Sequence, residues 1–274
     1  MLTRVVTGIV LLIATIAILF LGQIALGITL MVLTVVGIIE LHKAVENGGL
    51  KPVKWTAFLF VVPILLYMIT PQQDYFSIAV YTISALVFFM CIIKTNKYNL
   101  GGGVASVASG LVVSNMFFSI FALYMLGENR LESALILGAV LVGACLTDMF
   151  AYFVGVLIGK HKLCPDVSPK KTIEGSIGGM IFVTAGMAAY GYFVLNPNID
   201  KFYGVSIYTY IALGLICGIV SQIGDLSASM IKRNYNIKDF GKIFPGHGGV
   251  LDRFDSFIFV APVMYFFLTL RVIG

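Results

Sequence analysis

Apolar runs of about twenty residues recur along this chain, each the length needed to cross a hydrocarbon core about 30 Å thick. With 59% hydrophobic residues and a mean hydropathy of +0.99 over 274 residues, the chain reads as an all-α polytopic membrane protein. The runs predict about nine transmembrane helices, near residues 5–21, 24–41, 56–70, 76–93, 102–126, 131–159, 175–195, 206–231 and 254–271, the third rather short. Arg4 ahead of the first run has the look of a signal peptide. The run is long, however, and no small-x-small cleavage site follows, so it is read as a retained span.

Cytoplasmic loops retain positive charge, and this fixes an orientation. With the N-terminus cytoplasmic, Arg4, Lys43, Lys51, Lys54, Lys94, Lys97, Lys160, Lys162, Lys170, Lys171, Lys232, Arg233, Lys238, Lys242 and Arg253 fall inside. Only Arg130, Lys201 and Arg271 fall outside, which accounts for all 18 basic residues and puts the C-terminus outside. The formal charge of +5 is therefore a topology signal. No basic patch with interleaved aromatics lies beyond the spans, so no nucleic-acid partner is expected. Cys91, Cys145, Cys164 and Cys217 are scattered without metal-ligand spacing and are expected to be packing residues.

Organisation along the chain is asymmetric. Residues 1–130 carry short turns and almost no charge within the spans, and read as an N-terminal transmembrane scaffold. Residues 131–274 read as a C-terminal transmembrane catalytic region with two cytoplasmic loops, 160–174 and 232–253, integral with the scaffold. No internal repeat or low-complexity tract interrupts either part.

Asp148 and Asp225 are carboxylates inside otherwise apolar helices of that second region, where charge is costly and generally faces a bundle interior or a wet cavity. Ser221, Gln222, Ser229 and Lys232 stand at i−4, i−3, i+4 and i+7 from Asp225, the spacing of one helical face. Asp225 would lie about 10 Å below Lys232, a depth that water and a nucleoside triphosphate can share. Tyr152, Gly155 and Gly159 make a comparable face beside Asp148, with small residues that admit a close neighbour.

Some glycine-rich stretches mimic phosphate loops without their context. Gly155 to His161 has the wrong spacing for a Walker loop, and Gly175 to Gly179 opens an apolar span with no strand before it. Pro245-Gly246-His247-Gly248-Gly249 differs, because its glycines allow positive φ and close approach of N–H groups to an anion. It sits in the stretch from Ser229 to Asp255, which concentrates Lys232, Arg233, Lys238, Asp239, Lys242, His247, Asp252, Arg253 and Asp255 between two apolar segments. In a chain only 11% charged, that density at a membrane surface points to a phosphate ligand and a hard cation.

The residues in this stretch carry a resemblance. Ser229-x-Ile231-Lys232-Arg233, Lys238-Asp239-x-Gly241 and Pro245-x-His247-Gly248-Gly249-Val250-x-Asp252-Arg253-Phe254-Asp255 resemble the pattern of the phosphatidate cytidylyltransferases, the CDP-diacylglycerol synthases, with every spacing in agreement. The similarity extends to Gln222-x-Gly224-Asp225-Leu226 and to Ser168-Pro169-Lys170-Lys171-Thr172-x-Glu174-Gly175. Two positions depart from the family: Met149 follows Asp148 where Thr is frequent, and Ile173 replaces an aromatic.

The resemblance implies condensation of CTP with phosphatidic acid to CDP-diacylglycerol and pyrophosphate, at a cytoplasmic-facing site in the cell's inner membrane. The lipid phosphate would attack the α-phosphorus in line, with catalysis by positioning and electrostatic stabilisation. Asp225 and Asp252 are the candidate Mg²⁺ ligands, with Asp148 and Asp255 as weaker ones, and the reaction leaves room for a second cation. Lys232, Arg233 and His247 join the two carboxylates as catalytic candidates. Ser168, Lys170, Lys171, Thr172, Ser229, Lys238, Lys242, Gly248, Gly249 and Arg253 are the substrate-binding candidates. Membrane lipids surround the site, and a homodimer is compatible with this reading. Two other classes fit less of the pattern. A CTP-dependent lipid-alcohol kinase would transfer the γ-phosphoryl group instead, and a secondary transporter would need inverted repeats and broken helices that the sequence lacks.

Overall fold

The computed structural model describes residues 2–93 and 99–273. Lys94 and Lys97, counted above toward the orientation, lie outside the described residues, as do the side chains of Arg4 and Arg271. Hydrocarbon offers no water to backbone N–H and C=O groups, so a spanning chain must bond them within itself, and helix dominates throughout. Among the described residues, six segments are long and apolar enough to cross a membrane: Gln23–Asn47, Gln73–Ile93, Leu100–Tyr124, Arg130–Ile158, Ile173–Asn198 and Ile207–Asn234. Shorter apolar helices run over Val6–Leu21, Thr56–Ile69 and Phe257–Leu270. This is an all-α polytopic membrane protein whose one sheet, among the described residues, is a two-stranded hairpin.

The chain forms two compact units, residues 1–121 with 231–254, and residues 122–230 with 255–274. In the first, helices α1 (Leu2–Leu21) and α2 (Gln23–Asn47) are followed by α3 (Thr56–Leu59), α4 (Val62–Ile69), α5 (Gln73–Ile93) and most of α6 (Leu100–Tyr124). Pro63 cannot donate to the preceding turn, and the helix breaks between α3 and α4. At the break the Phe60 carbonyl accepts the Ser114 hydroxyl at 2.9 Å, a tertiary partner for one of the backbone groups there. Phe60, Ile64, Met116, Phe117 and Phe121 are fully buried in this unit, and Tyr67 packs edge-on to Phe118 at 4.9 Å.

In the second unit, α7 (Arg130–Leu141) passes through a π turn, Val142–Leu146, into α8 (Thr147–Ile158). A hairpin of β1 (Lys162–Cys164) and β2 (Ser168–Thr172) then leads into α9 (Ile173–Tyr190), which ends in a second π turn, Gly191–Leu195, and the short α10 (Asn196–Asn198). Helix α9 is the close neighbour of α8, and glycines of α9 itself admit the approach. A Cβ on Gly175 would stand 2.5 Å from the Ala151 carbonyl, and one on Gly179 would stand 2.7 Å from that of Thr147. Phe150 and Phe182 stack across the same contact with centroids 4.0 Å apart. The unit also takes most of α11 (Ile207–Asn234) and the last helix after α12 (Leu251–Phe254), α13 (Phe257–Ile273). Cys91 and Cys217 are buried as packing residues, but Cys145 is exposed and Cys164 half-buried, so that role does not extend to all four thiols.

Candidate active site

The predicted residues divide between two cavities, one within each unit. In the second unit a cavity of about 600 Å³ is lined by Asp148, Tyr152 and Gly155 of α8, by Ser168, Lys170, Lys171 and Thr172 of β2, by Ser176 of α9, and by Gln222 and Asp225 of α11. That volume falls within the range of roughly 300–1,000 Å³ usual for small-ligand sites.

Local chemistry explains how the hairpin is held. Thr172 caps α9, its hydroxyl accepting the Gly175 N–H at 3.1 Å. Glu174, in the first turn, accepts the backbone N–H of Lys160 at 3.0 Å and of His161 at 3.2 Å, and pairs with His161 Nδ1 at 2.6 Å. The Thr-x-Glu-Gly sequence is thus a double anchor that returns the strand bearing Ser168, Lys170 and Lys171 to the cavity. Lys171 forms an ion pair with Asp225, both side chains about one quarter exposed or less. Asp148 accepts the Ser256 hydroxyl at 2.6 Å, and Thr147 beside it bonds back to the Gly143 carbonyl at 2.8 Å in the π turn. Ser176 donates to Gln222 Oε1, and Gln222 Nε2 returns a bond to the Ser176 carbonyl at 3.1 Å.

Of the stripe expected along α11, Gln222 and Asp225 open into this cavity. Ser221 is fully buried and Ser229 half-buried, and neither lines it. Asp255 is half-buried, with Oδ1 accepting the Ser256 N–H at 2.9 Å.

The first unit holds the loop between α11 and α12. The helix stops in a left-handed residue, Asn236 at φ 53°, with Asn236 N–H bonded to Arg233 O at 3.2 Å and Ile237 N–H to Lys232 O at 2.9 Å. This paired closure satisfies the last carbonyls and sends the chain sharply away. The turn that follows is pinned by a bridge, Phe244 N–H to Gly248 O at 2.9 Å, and requires positive φ at Gly246 and Gly248, 77° and 85°. Lys238, Asp239, Lys242, His247, Gly248 and Arg253 line a cavity of about 640 Å³ there. His247 Nδ1 is buried and has no hydrogen-bond partner among the described residues, an unusual cost unless a ligand completes it.

Asp252 ties this loop together. Its Oδ2 accepts Phe240 N–H at 2.8 Å and Gly249 N–H at 2.9 Å, and its Oδ1 accepts Lys232 Nζ at 3.1 Å, with the carboxylate only 4% exposed. Lys232 also lies 5.3 Å from the Phe240 ring centroid. Arg233, exposed at the end of α11, lines neither cavity.

A residue absent from the sequence-based set also engages the loop. Glu40 of α2, 4% exposed, accepts Val250 N–H and Leu251 N–H at 3.0 Å each. Its signal in the sequence is a carboxylate two turns inside the end of a 25-residue apolar helix.

Among the described residues, no group of three or more His, Cys, Asp and Glu could hold a metal by itself. Mg²⁺ characteristically takes one or two carboxylates and completes its shell with water and substrate phosphates. Asp148 and Asp225, opening into one cavity with only oxygen and nitrogen donors around them, fit that mode of binding. Asp252 fits it only if its carboxylate gives up Lys232, since Phe240 N–H, Gly249 N–H and Lys232 Nζ already occupy its oxygens.

The protein is thus a polytopic helical membrane protein with two charged clusters, one pairing carboxylates with lysines and one built on a glycine turn with cations. The chain belongs to the Cytidylyltransferase family, whose profile it matches over residues 2–271. It is similar to the phosphatidate cytidylyltransferase of Bacillus subtilis (strain 168), with 29% identity over 97% of each chain. The phosphatidate cytidylyltransferase of Staphylococcus aureus (strain COL) is 34% identical over 95% of this chain and 96% of its own. That of Staphylococcus saprophyticus is 43% identical over 43% of each.

Proposed function

We propose that the protein transfers the cytidylyl group of CTP to phosphatidic acid, giving CDP-diacylglycerol and pyrophosphate for phospholipid biosynthesis. Family membership supports the group transferred, and the names of the relatives support the lipid acceptor. The observation that carries the chemistry is the cavity in which Asp148 and Asp225 meet Lys170 and Lys171. Anionic substrates need such cations, and a hard metal ion needs such carboxylates.

In this reading the lipid phosphate is itself the nucleophile, so the protein needs only to align it and spread the charge that builds in the transition state. Lys170 and Lys171 grip phosphate oxygens, with Ser168 and Thr172 at the edge of the same strand. Asp225 and Asp148 would hold Mg²⁺, which when bound would neutralise charge on the triphosphate, and a second cation is compatible with the reaction. In the loop of the first unit, Asp252 would serve a cation only by giving up Lys232, and that ammonium would then be available to a phosphate. Lys238, Lys242 and Arg253, with the unpartnered His247 Nδ1, would bind phosphate oxygens in the cavity of the first unit.

Fifteen of the 18 basic residues fall on one side when nine helices span with the N-terminus cytoplasmic and the C-terminus outside. Both loops then face the cytoplasm, where CTP is found, and phosphatidic acid enters from the inner leaflet of the cell membrane. A homodimer is compatible with this arrangement. Purified protein supplied with CTP labelled in the base, phosphatidic acid and Mg²⁺ should yield lipid-extractable cytidine and free pyrophosphate. Absence of both would end the proposal.

A further inference from the structure

We infer that Glu40 is a positioning residue for the reaction, acting through the glycine turn and never touching substrate. The inference rests on the proposed function for its activity readout, while the contact itself stands on geometry alone. Glu40 lies in the apolar α2, in a unit that also contains the loop of residues 235–254. Each of its two carboxylate oxygens accepts one backbone N–H at the start of α12, from Val250 and from Leu251. A second constraint is steric. A Cβ on Gly241 would stand 2.1 Å from Glu40 Oε1, and one on Gly249 would stand 2.2 Å from it. The two glycines therefore leave the space the carboxylate fills, and neither adopts positive φ.

Asp252 binds the same loop from within, through Phe240 and Gly249. Glu40 binds it to the helix bundle of its own unit. With the internal tie alone the turn would keep its shape but lose its register on α2, and His247 and Arg253 would move as a body. Displacements of about 1 Å at a reacting centre can cost about 100-fold in rate. A charged group buried in an apolar helix is retained where it has such a partner, and four polar atoms are mutually satisfied here.

The test uses full-length wild type, Glu40→Gln and Gly249→Ala purified in detergent. Glu40→Gln keeps the volume and one acceptor oxygen, but turns an NH₂ group toward the second N–H. Its kcat should fall by at least about tenfold while KM for CTP changes by less than about threefold, because Lys238 and Lys242 reach their phosphates through long flexible side chains that can follow a small shift of the loop. Amide hydrogen exchange should accelerate at Val250 and Leu251 with the spanning helices unchanged. Gly249→Ala, which drives a methyl group into the carboxylate, should lose kcat similarly, and the double variant should lose no more than the worse single one. A Glu40→Gln enzyme within about twofold of wild-type kcat would overturn the inference, as would unchanged exchange at Val250 and Leu251. A loss that tracks a lowered melting temperature would assign Glu40 to stability and overturn it too. If wild type itself made no lipid-linked cytidine, the functional reading would fail, and the exchange rates would still decide the Glu40 contact.

Discussion

Lys171 of the hairpin is paired with Asp225 of α11 in the wall of a cavity that also receives Asp148. The pair brings a strand and a helix together at the point where charge is most concentrated in the second unit. Its worth to stability is small, because partly exposed ion pairs contribute about 0–1 kcal/mol. Lys171→Met and Asp225→Asn should therefore melt within a few degrees of wild type in detergent, yet each should lose at least about tenfold in turnover, a barrier change of about 1.4 kcal/mol or more. If the Lys171→Met, Asp225→Asn double variant regained near wild-type rate, the pair would be structural only.

Metal dependence gives a second expectation. EDTA should abolish turnover and Mg²⁺ should restore it. Asp148→Asn and Asp225→Asn should each raise the Mg²⁺ concentration needed for half-maximal rate, since each removes an anionic oxygen donor. An unchanged Mg²⁺ requirement in both variants would exclude that pair as ligands.

The α8–α9 contact predicts a packing effect separate from chemistry. Gly175→Ala and Gly179→Ala place a methyl group 2.5 Å and 2.7 Å from backbone oxygens, where no side-chain rotation can relieve the overlap. Overpacking of this kind costs about 1–3 kcal/mol, and thermal melting in detergent should show it. Gly204→Ala serves as a contrast in space, since nothing lies within 4 Å of its Cβ position, although its φ of 75° adds strain of its own. Melting of both α9 variants at the wild-type temperature would contradict the close approach.

Much of this arrangement can be read from the sequence, and the exceptions have physical causes. Apolar runs announce the helices because hydrocarbon permits little else, and the Ser229 to Asp255 stretch announces itself by charge. Glu40 escapes because its importance comes from partners 210 and 211 residues away, a separation that no local spacing reveals. The same holds for Ser256, which meets Asp148 from 108 residues away. The pattern also cannot tell a carboxylate that waits for a cation from one that binds its own backbone, and Asp252 is engaged in the latter way. Ser221 fits the helical face around Asp225 by spacing, but tight packing in its unit buries it completely.

Orientation is open to a direct check. Single cysteines at Asp166, in the hairpin turn, and at Ile243, in the long loop, are both exposed positions, to be placed in a background lacking the native thiols. Both should resist an impermeant thiol reagent added outside intact cells and react once the cytoplasmic face is opened. Labelling of either from outside would reverse the proposed topology.

The central claim is the bond that is broken, and doubly labelled CTP reads it directly. Purified protein is given phosphatidic acid, Mg²⁺ and CTP carrying one label in the α-phosphate and another in the γ-phosphate. The account predicts that the α-label enters the lipid one-for-one with pyrophosphate release, while the γ-label leaves in the pyrophosphate. Recovery of the γ-label in lipid, with CDP as the released nucleotide, would mean phosphoryl transfer and would contradict it.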